Sequence, residues 1–314
     1  MSGGAVHDDT RFAVSRRTVL RAVLLIGAGA TLRGGANAAM IAEPMAPLPI
    51  PPPVPAKEGL ATLPGTRLSY WDTGGSGEAI VLLHAATGSA RIWGYQQPVF
   101  ARAGYRVIGY SRRGYGGSDP VPKENPGTAA DDLNNLADFL GLNKFHLAGS
   151  AAGGGIAVDY ALLHPERLSS LVIACAVGGV DDKDYVELAG RLRPKGFEDM
   201  PAAFRELSPA YRAANPQGTA QWAALEHDAI TGNRVGQKPA NTITWARLAG
   251  MKVPALVIGG DADLYVPPPM LRIYASHIPR AELVIVPEAG HSLYWERPDV
   301  FNRALIAFFA KHRV

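Results

Sequence analysis

From residue 67 onward the chain alternates between two hydrophobic patterns. Short, mostly apolar runs at 79–84, 105–110, 145–148, 168–175, 255–258 and 283–286 read as strands covered on both faces, and 67–72 alternates like a half-covered strand. Between them, 88–103, 128–140, 156–163, 268–277 and 298–311 read as helices; Leu133, Leu136 and Leu140, for example, recur at helical spacing. Such alternation predicts an α/β fold: a mostly parallel central sheet with helices on both faces. Residues 179–250 interrupt the rhythm. They hold no strand-like run, and Phe204, Leu207 and Tyr211 fall on one helical face. A helical cap is expected there, inserted between two strands and lying over the crevice at the carboxyl edge of the sheet.

Composition sets limits. There is one cysteine, Cys175, so a disulfide scaffold is excluded. The net charge of +3 is held in a tail: residues 1–38 carry five arginines against Asp8 and Asp9, which leaves 26 basic and 26 acidic residues elsewhere. A nucleic-acid binder carries its positive charge on the folded body, so no nucleic-acid partner is expected. In the tail, Ser15-Arg16-Arg17-Thr18-Val19-Leu20 precedes an apolar run at 22–32, and Ala36-Asn37-Ala38 follows. A basic part, an apolar part and a small-residue end make a secretory signal. The paired arginines resemble the bacterial twin-arginine signal. Export to the periplasm or beyond, with a cut after Ala38, is expected. The apolar run is shorter than the about 20 residues a membrane span needs, so no stable span is expected. Seven prolines from Pro44 to Pro55 predict a stiff extended spacer. The expected division is a signal at 1–38, a linker at 39–57, a core at 58–178 and 251–314, and the cap at 179–250.

The chemistry-bearing residues collect at strand ends. The run at 145–148 leads into Gly149-Ser150-Ala151-Ala152-Gly153-Gly154-Gly155. Here the chain resembles the α/β-hydrolase family, in which a strand ends in a G-x-S-x-G elbow and turns into a helix. Gly149 and Gly153 match its glycines, which puts Ala151 where the family has its nucleophile. Ser150 does not replace it, because shifting the frame would need glycines at Ala148 and Ala152. By the same resemblance Asp263, in Gly260 to Asp263, is the acid of the triad, and His291, in Gly290-His291, is the base. Asp261 is the local competitor for the acid, read as a turn residue; Asp181 and Asp182 are distant second choices. The loop His84-Ala85-Ala86-Thr87-Gly88 matches the oxyanion loop, so the resemblance implies the backbone N–H groups of Ala86 and Ala152 as the oxyanion hole. His84 is expected to be a structural hydrogen-bonder of that loop. The resemblance runs from about Glu58 to the chain end. Its motifs are specific for fold and much less so for reaction.

The resemblance implies carboxylic ester hydrolysis through a serine-type triad, with this chain disabled by alanine at 151. The retained acid–base pair and oxyanion loop favour replacement of a serine over a natural non-catalytic ligand-binding relative. Aspartate at 151 would instead suit dehalogenases and epoxide hydrolases of the same fold, and lactonase, amidase or cofactor-free haloperoxidase activity also stays open. No cofactor is implied, and no metal, since no His/Cys cluster has ligand spacing. Trp93, Tyr265 and Tyr294 lie close in sequence to the oxyanion loop, acid and base, and are candidates to line the substrate pocket. No lysine or arginine stands beside a landmark except Arg91, so a neutral hydrophobic ester is the expected partner.

Overall fold

The computed structural model describes residues 39–40, 45–231 and 236–313. The expected signal at 1–38 lies outside the described residues. Nine strands form one sheet: β1 (Ala39–Met40), β2 (Lys57–Leu63), β3 (Thr66–Asp72), β4 (Ala79–Leu83), β5 (Arg106–Tyr110), β6 (Phe145–Ser150), β7 (Leu168–Ala174), β8 (Ala255–Gly260) and β9 (Glu282–Val286). Their order is β1-β9-β8-β7-β6-β4-β5-β3-β2. The β2–β3 and β3–β5 pairs are antiparallel, and every other pair is parallel. The fold class is therefore the one the periodicity predicts.

The continuous apolar runs have a direct cause. Along β4, Val81 and Leu83 belong to one core cluster and Ile80 and Leu82 to the other, because successive side chains leave opposite faces. One face is covered by α2 (Ala129–Phe139), α3 (Ala152–Leu163) and α9 (Pro268–Ser276), through Leu133, Val158 and Leu271. The other is covered by α1 (Gln97–Arg102) and α10 (Pro298–Lys311), through Phe100 and Leu305. Each such fully buried side chain contributes roughly 1.5–3 kcal/mol.

Three expectations need correction. The helix expected over 88–103 is two pieces, a 3-10 turn at Ala90–Trp93 and then α1; Ser89 caps the first, and Pro98 sits in the first turn of the second. The proline-rich segment is not a free spacer. Val54 exchanges two hydrogen bonds with the Gln97 side chain (3.0 and 2.8 Å), and Tyr95 Oη donates to Leu48 O at 2.7 Å, so it lies along the domain surface. The helical face expected from Phe204, Leu207 and Tyr211 is broken. Between β7 and β8 come α4 (Lys183–Leu192), α5 (Ala202–Glu206), α6 (Pro209–Ala214), α7 (Pro216–His227) and α8 (Trp245–Ala249). Pro209 cannot continue α5, Ser208 caps α6 through Tyr211 N–H, and Phe204 is left 54% exposed while Leu207 and Tyr211 are buried.

Candidate active site

The turn after β6 is built by what its residues lack. Ala151 sits at φ 52°, ψ −116°, a region non-glycine residues avoid at a cost of about 1–3 kcal/mol, and α3 starts at the next residue. A Cβ on Gly149 would lie 2.2 Å from Gly153 O, and one on Gly153 would lie 2.3 Å from Leu83 O. Only glycines let the helix approach the strand this closely. Ala151 N–H donates to Ala174 O at 2.9 Å, which ties the tip to β7. Ser150 is 1% exposed, lies off the cavity wall, and its hydroxyl has no hydrogen-bond partner among the described residues. Ala151 lies on the wall.

Beyond β8 and β9 the loops bring Asp263 to His291, with His291 Nδ1 2.8 and 3.0 Å from the two carboxylate oxygens. Both residues are buried. Asp263 Oδ1 also accepts the backbone N–H groups of Tyr265 (2.8 Å) and Val266 (2.9 Å), which fixes the carboxylate. With Nδ1–H donating to Asp263, Nε2 is the nitrogen left free. Asp261 accepts Glu288 N–H at 2.7 Å, as a turn residue does. Asp182 is taken up as the N-cap of α4.

Two more buried carboxylates surround this pair, and neither stands in a motif of the chain. Glu206, at the end of α5, receives Thr87 Oγ1 (3.2 Å) and Ser292 Oγ (3.1 Å). Glu296 accepts Gly290 N–H (3.0 Å) and Ser208 N–H (2.9 Å). Burial pushes Glu206 up, against the opposing pull of His291, and pushes Glu296 up to about 7. Burial alone would lower His291, but the charges of Asp263, Glu206 and Glu296 outweigh it and raise His291 to about 9. Cys175 also touches the cavity, but burial holds its thiol well above the ordinary value, so it is no nucleophile.

On the opposite side, Ala86 is exposed to the cavity, as is Ala152 at the first position of α3. No acceptor takes either N–H among the described residues; first-turn N–H groups of a helix have no intrahelical partner. His84 is fully buried, and desolvation, then the nearby Arg112 charge, holds it well below its ordinary value. The neutral ring donates from Nδ1 to Ala85 O at 2.7 Å and accepts Arg112 N–H at Nε2 at 3.0 Å, so it braces the loop.

These groups share a cavity of about 690 Å³. Tyr265 lines it, its ring 4.3 Å from that of His291. Trp93 and Tyr294 do not. Their rings pack 5.0 Å apart in the core, so nearness in sequence to a landmark misplaced them. Cations reach the cavity from positions away from the landmarks. Arg112, Arg113, Arg193 and Arg205 line the cavity, whereas Arg91 is exposed and 3.6 Å from Asp228. Arg113 is neutralised by two short bonds to Asp132 (2.7 and 2.6 Å). Among the described residues no group of three or more His, Cys, Asp or Glu could hold a metal, and no helix is long and apolar enough to cross a membrane.

An elbow after a central strand, an acid–base pair from later strand ends and a loop of free N–H groups define a hydrolase-type architecture. A model of the alpha/beta hydrolase family matches residues 80–304, and the chain belongs to that family. It is 31% identical over 279 residues to a 2-hydroxy-6-oxononadienedioate/2-hydroxy-6-oxononatrienedioate hydrolase of Burkholderia vietnamiensis, covering 78% of this chain and 91% of that one. Among solved structures it resembles a thermophilic esterase from Thermogutta terrifontis (25% identity, TM-score 0.66, 82% of this chain and 100% of the other). It also resembles the enol-lactonase of Burkholderia xenovorans LB400 (26% identity, TM-score 0.64, 80% and 100%).

Proposed function

We propose that this chain is the framework of a serine hydrolase for a small carbonyl compound, an ester or its cyclic form a lactone, disabled by alanine at the nucleophile position 151. The observation that carries this is the strained φ of Ala151 beside an intact Asp263–His291 pair. A tip this costly and a buried acid–base pair serve no packing purpose. With serine at 151, His291 takes the hydroxyl proton as the oxygen attacks the carbonyl carbon. Ala86 and Ala152 N–H hold the resulting oxyanion. The imidazolium gives its proton to the leaving alcohol as the acyl–serine ester forms; His291 then takes a proton from the water that attacks this ester and returns it to the serine oxygen as the acid departs. A second reading, hydrolysis of a carbon–carbon bond next to a carbonyl, is favoured by the Burkholderia vietnamiensis relative, which is matched over nearly its whole length. The same nucleophile position, base and N–H pair would serve it.

The test compares Ala151→Ser with the unaltered chain on p-nitrophenyl esters of short and medium acyl length. Loss of the nucleophile alone lowers kcat by about 10⁶-fold in a serine hydrolase, so the serine form should turn over and the alanine form should not. Equal inertness of both forms would sink the esterase reading.

A further inference from the structure

The proposed chemistry leaves one charged group on the sheet side of the cavity without a task. Arg112 follows β5 and lines the cavity next to the oxyanion loop. Its Nη2 donates to Ala85 O at 3.2 Å, and its guanidinium lies 4.7 Å over the Tyr115 ring. Its Nε is buried with no hydrogen-bond partner among the described residues. No carboxylate lies within ion-pair distance of it among the described residues. Asp132 is committed to Arg113, and Arg193 and Arg205 share Glu198 across the cavity (3.1 and 3.5 Å). Glu206, the acidic residue on the wall, already receives two hydroxyls. Taking a guanidinium out of water without a counter-ion is costly, and Arg keeps its charge through that cost. A largely desolvated cation that lines an open cavity and has no carboxylate partner among the described residues lacks an anion, and a ligand can bring one.

We propose that Arg112 is the anion anchor of this cavity and that the substrate carries a carboxylate, seated on the oxyanion-loop side. The proposal rests on the cavity being the substrate pocket and gives its substrate a charge. Ala85 O receives Arg112 and belongs to the loop that continues into Ala86. The guanidinium therefore fixes the distance between the substrate's carboxylate and the carbonyl that the oxyanion hole accepts. Planar, two-pronged pairing with a carboxylate is what a guanidinium offers and an ammonium does not.

The full chain as it stands is the reagent, and binding, not turnover, is read. Calorimetry would compare monomethyl adipate, an anion at pH 7, with neutral dimethyl adipate. The anion should bind about tenfold or more tightly, as hydrogen bonds to charged groups allow. Arg112→Gln should erase that preference, and Arg112→Lys should keep part of it. Equal affinities in the unaltered chain, no measurable binding of the anion, or a preference that survives Arg112→Gln would each overturn the proposal. The unaltered-chain comparison needs no variant, so a poorly folded substitution cannot hide the answer. An inert Ala151→Ser form would defeat the esterase reading and leave this result untouched.

Discussion

The strand-end loops and the helical insertion both wall the same cavity, but they place their residues under different rules. A strand end is fixed by the sheet: register, pleat and the neighbouring strand settle where Ala151, Asp263 and His291 emerge. Asp263 is then held by backbone groups close in sequence, Tyr265 and Val266 N–H, and His291 by Asp263 at the neighbouring strand end. The insertion has no such lattice. Glu206 reaches the site as the last residue of α5, which ends before Pro209 opens α6, and it is held by Thr87 and Ser292, 119 and 86 residues away in the chain. Chemistry placed by the sheet should therefore be all-or-nothing, and chemistry placed by the insertion should tune.

The largest expected effect tests the first half of that contrast. In the Ala151→Ser form, Asp263→Asn keeps the shape but no longer selects the Nδ1–H tautomer of His291. Loss of kcat by about 10⁴-fold is expected, with little change in KM. A loss of tenfold or less, measured by steady-state kinetics, would mean that Glu206 or Glu296 orients the imidazole as well as Asp263 does.

The same contrast explains what was legible in the sequence. The elbow, Asp263 and His291 stand in short local patterns, because the geometry that needs them is local: two missing Cβ atoms and one turn. Arg112 was overlooked although it follows a strand in the same way, since no motif distinguishes it from its neighbour Arg113, which is spent on Asp132. Trp93 and Tyr294 mislead because a residue a few positions from a landmark, five past the oxyanion loop and three past His291, can point to the opposite side of the backbone, here into the core. Glu206 had no local signature at all. Its role comes from a helix break and two distant hydroxyls, and periodicity carries no information about either.

Glu206→Gln, again in the Ala151→Ser form, should give an intermediate effect and a change of pH profile. His291 must be neutral to take the serine proton, so kcat/KM should rise with pH around its value of about 9. Removing the Glu206 charge takes away one of the groups that raise His291, so the midpoint should move to lower pH. Stability follows the same sign. The folded value of about 9 lies above the ordinary 6.5, so the stabilisation from His291 is whole below pH 6.5 and is lost as pH rises through 9. Glu206, pushed up by burial, also costs stability as pH rises past the ordinary carboxylate range. The variant should lose less Tm between pH 6 and pH 9.5 than the parent. A midpoint that stays in place would show that the insertion does not reach the base electrostatically.

The smallest effect belongs to an acidic residue of the insertion that looks like a candidate and is not one. Asp182 follows the strand before the insertion, as a triad acid could. Its carboxylate instead accepts Tyr185 N–H at 2.9 Å and Trp245 Nε1 at 2.7 Å, closing the N-terminus of α4 and fastening α8 to it. Asp182→Ala removes a helix cap, which costs about 1 kcal/mol, and in a domain of this size lowers Tm by roughly 2–4 °C. Asp182→Asn keeps an accepting oxygen and should recover most of that loss. In the Ala151→Ser form, kcat should stay within about twofold for both, because the change alters how the insertion is fastened and leaves the Asp263–His291 pair untouched. A kcat that falls with Asp182→Ala as it does with Asp263→Asn would move the acid to the insertion and dissolve the distinction between the two regions.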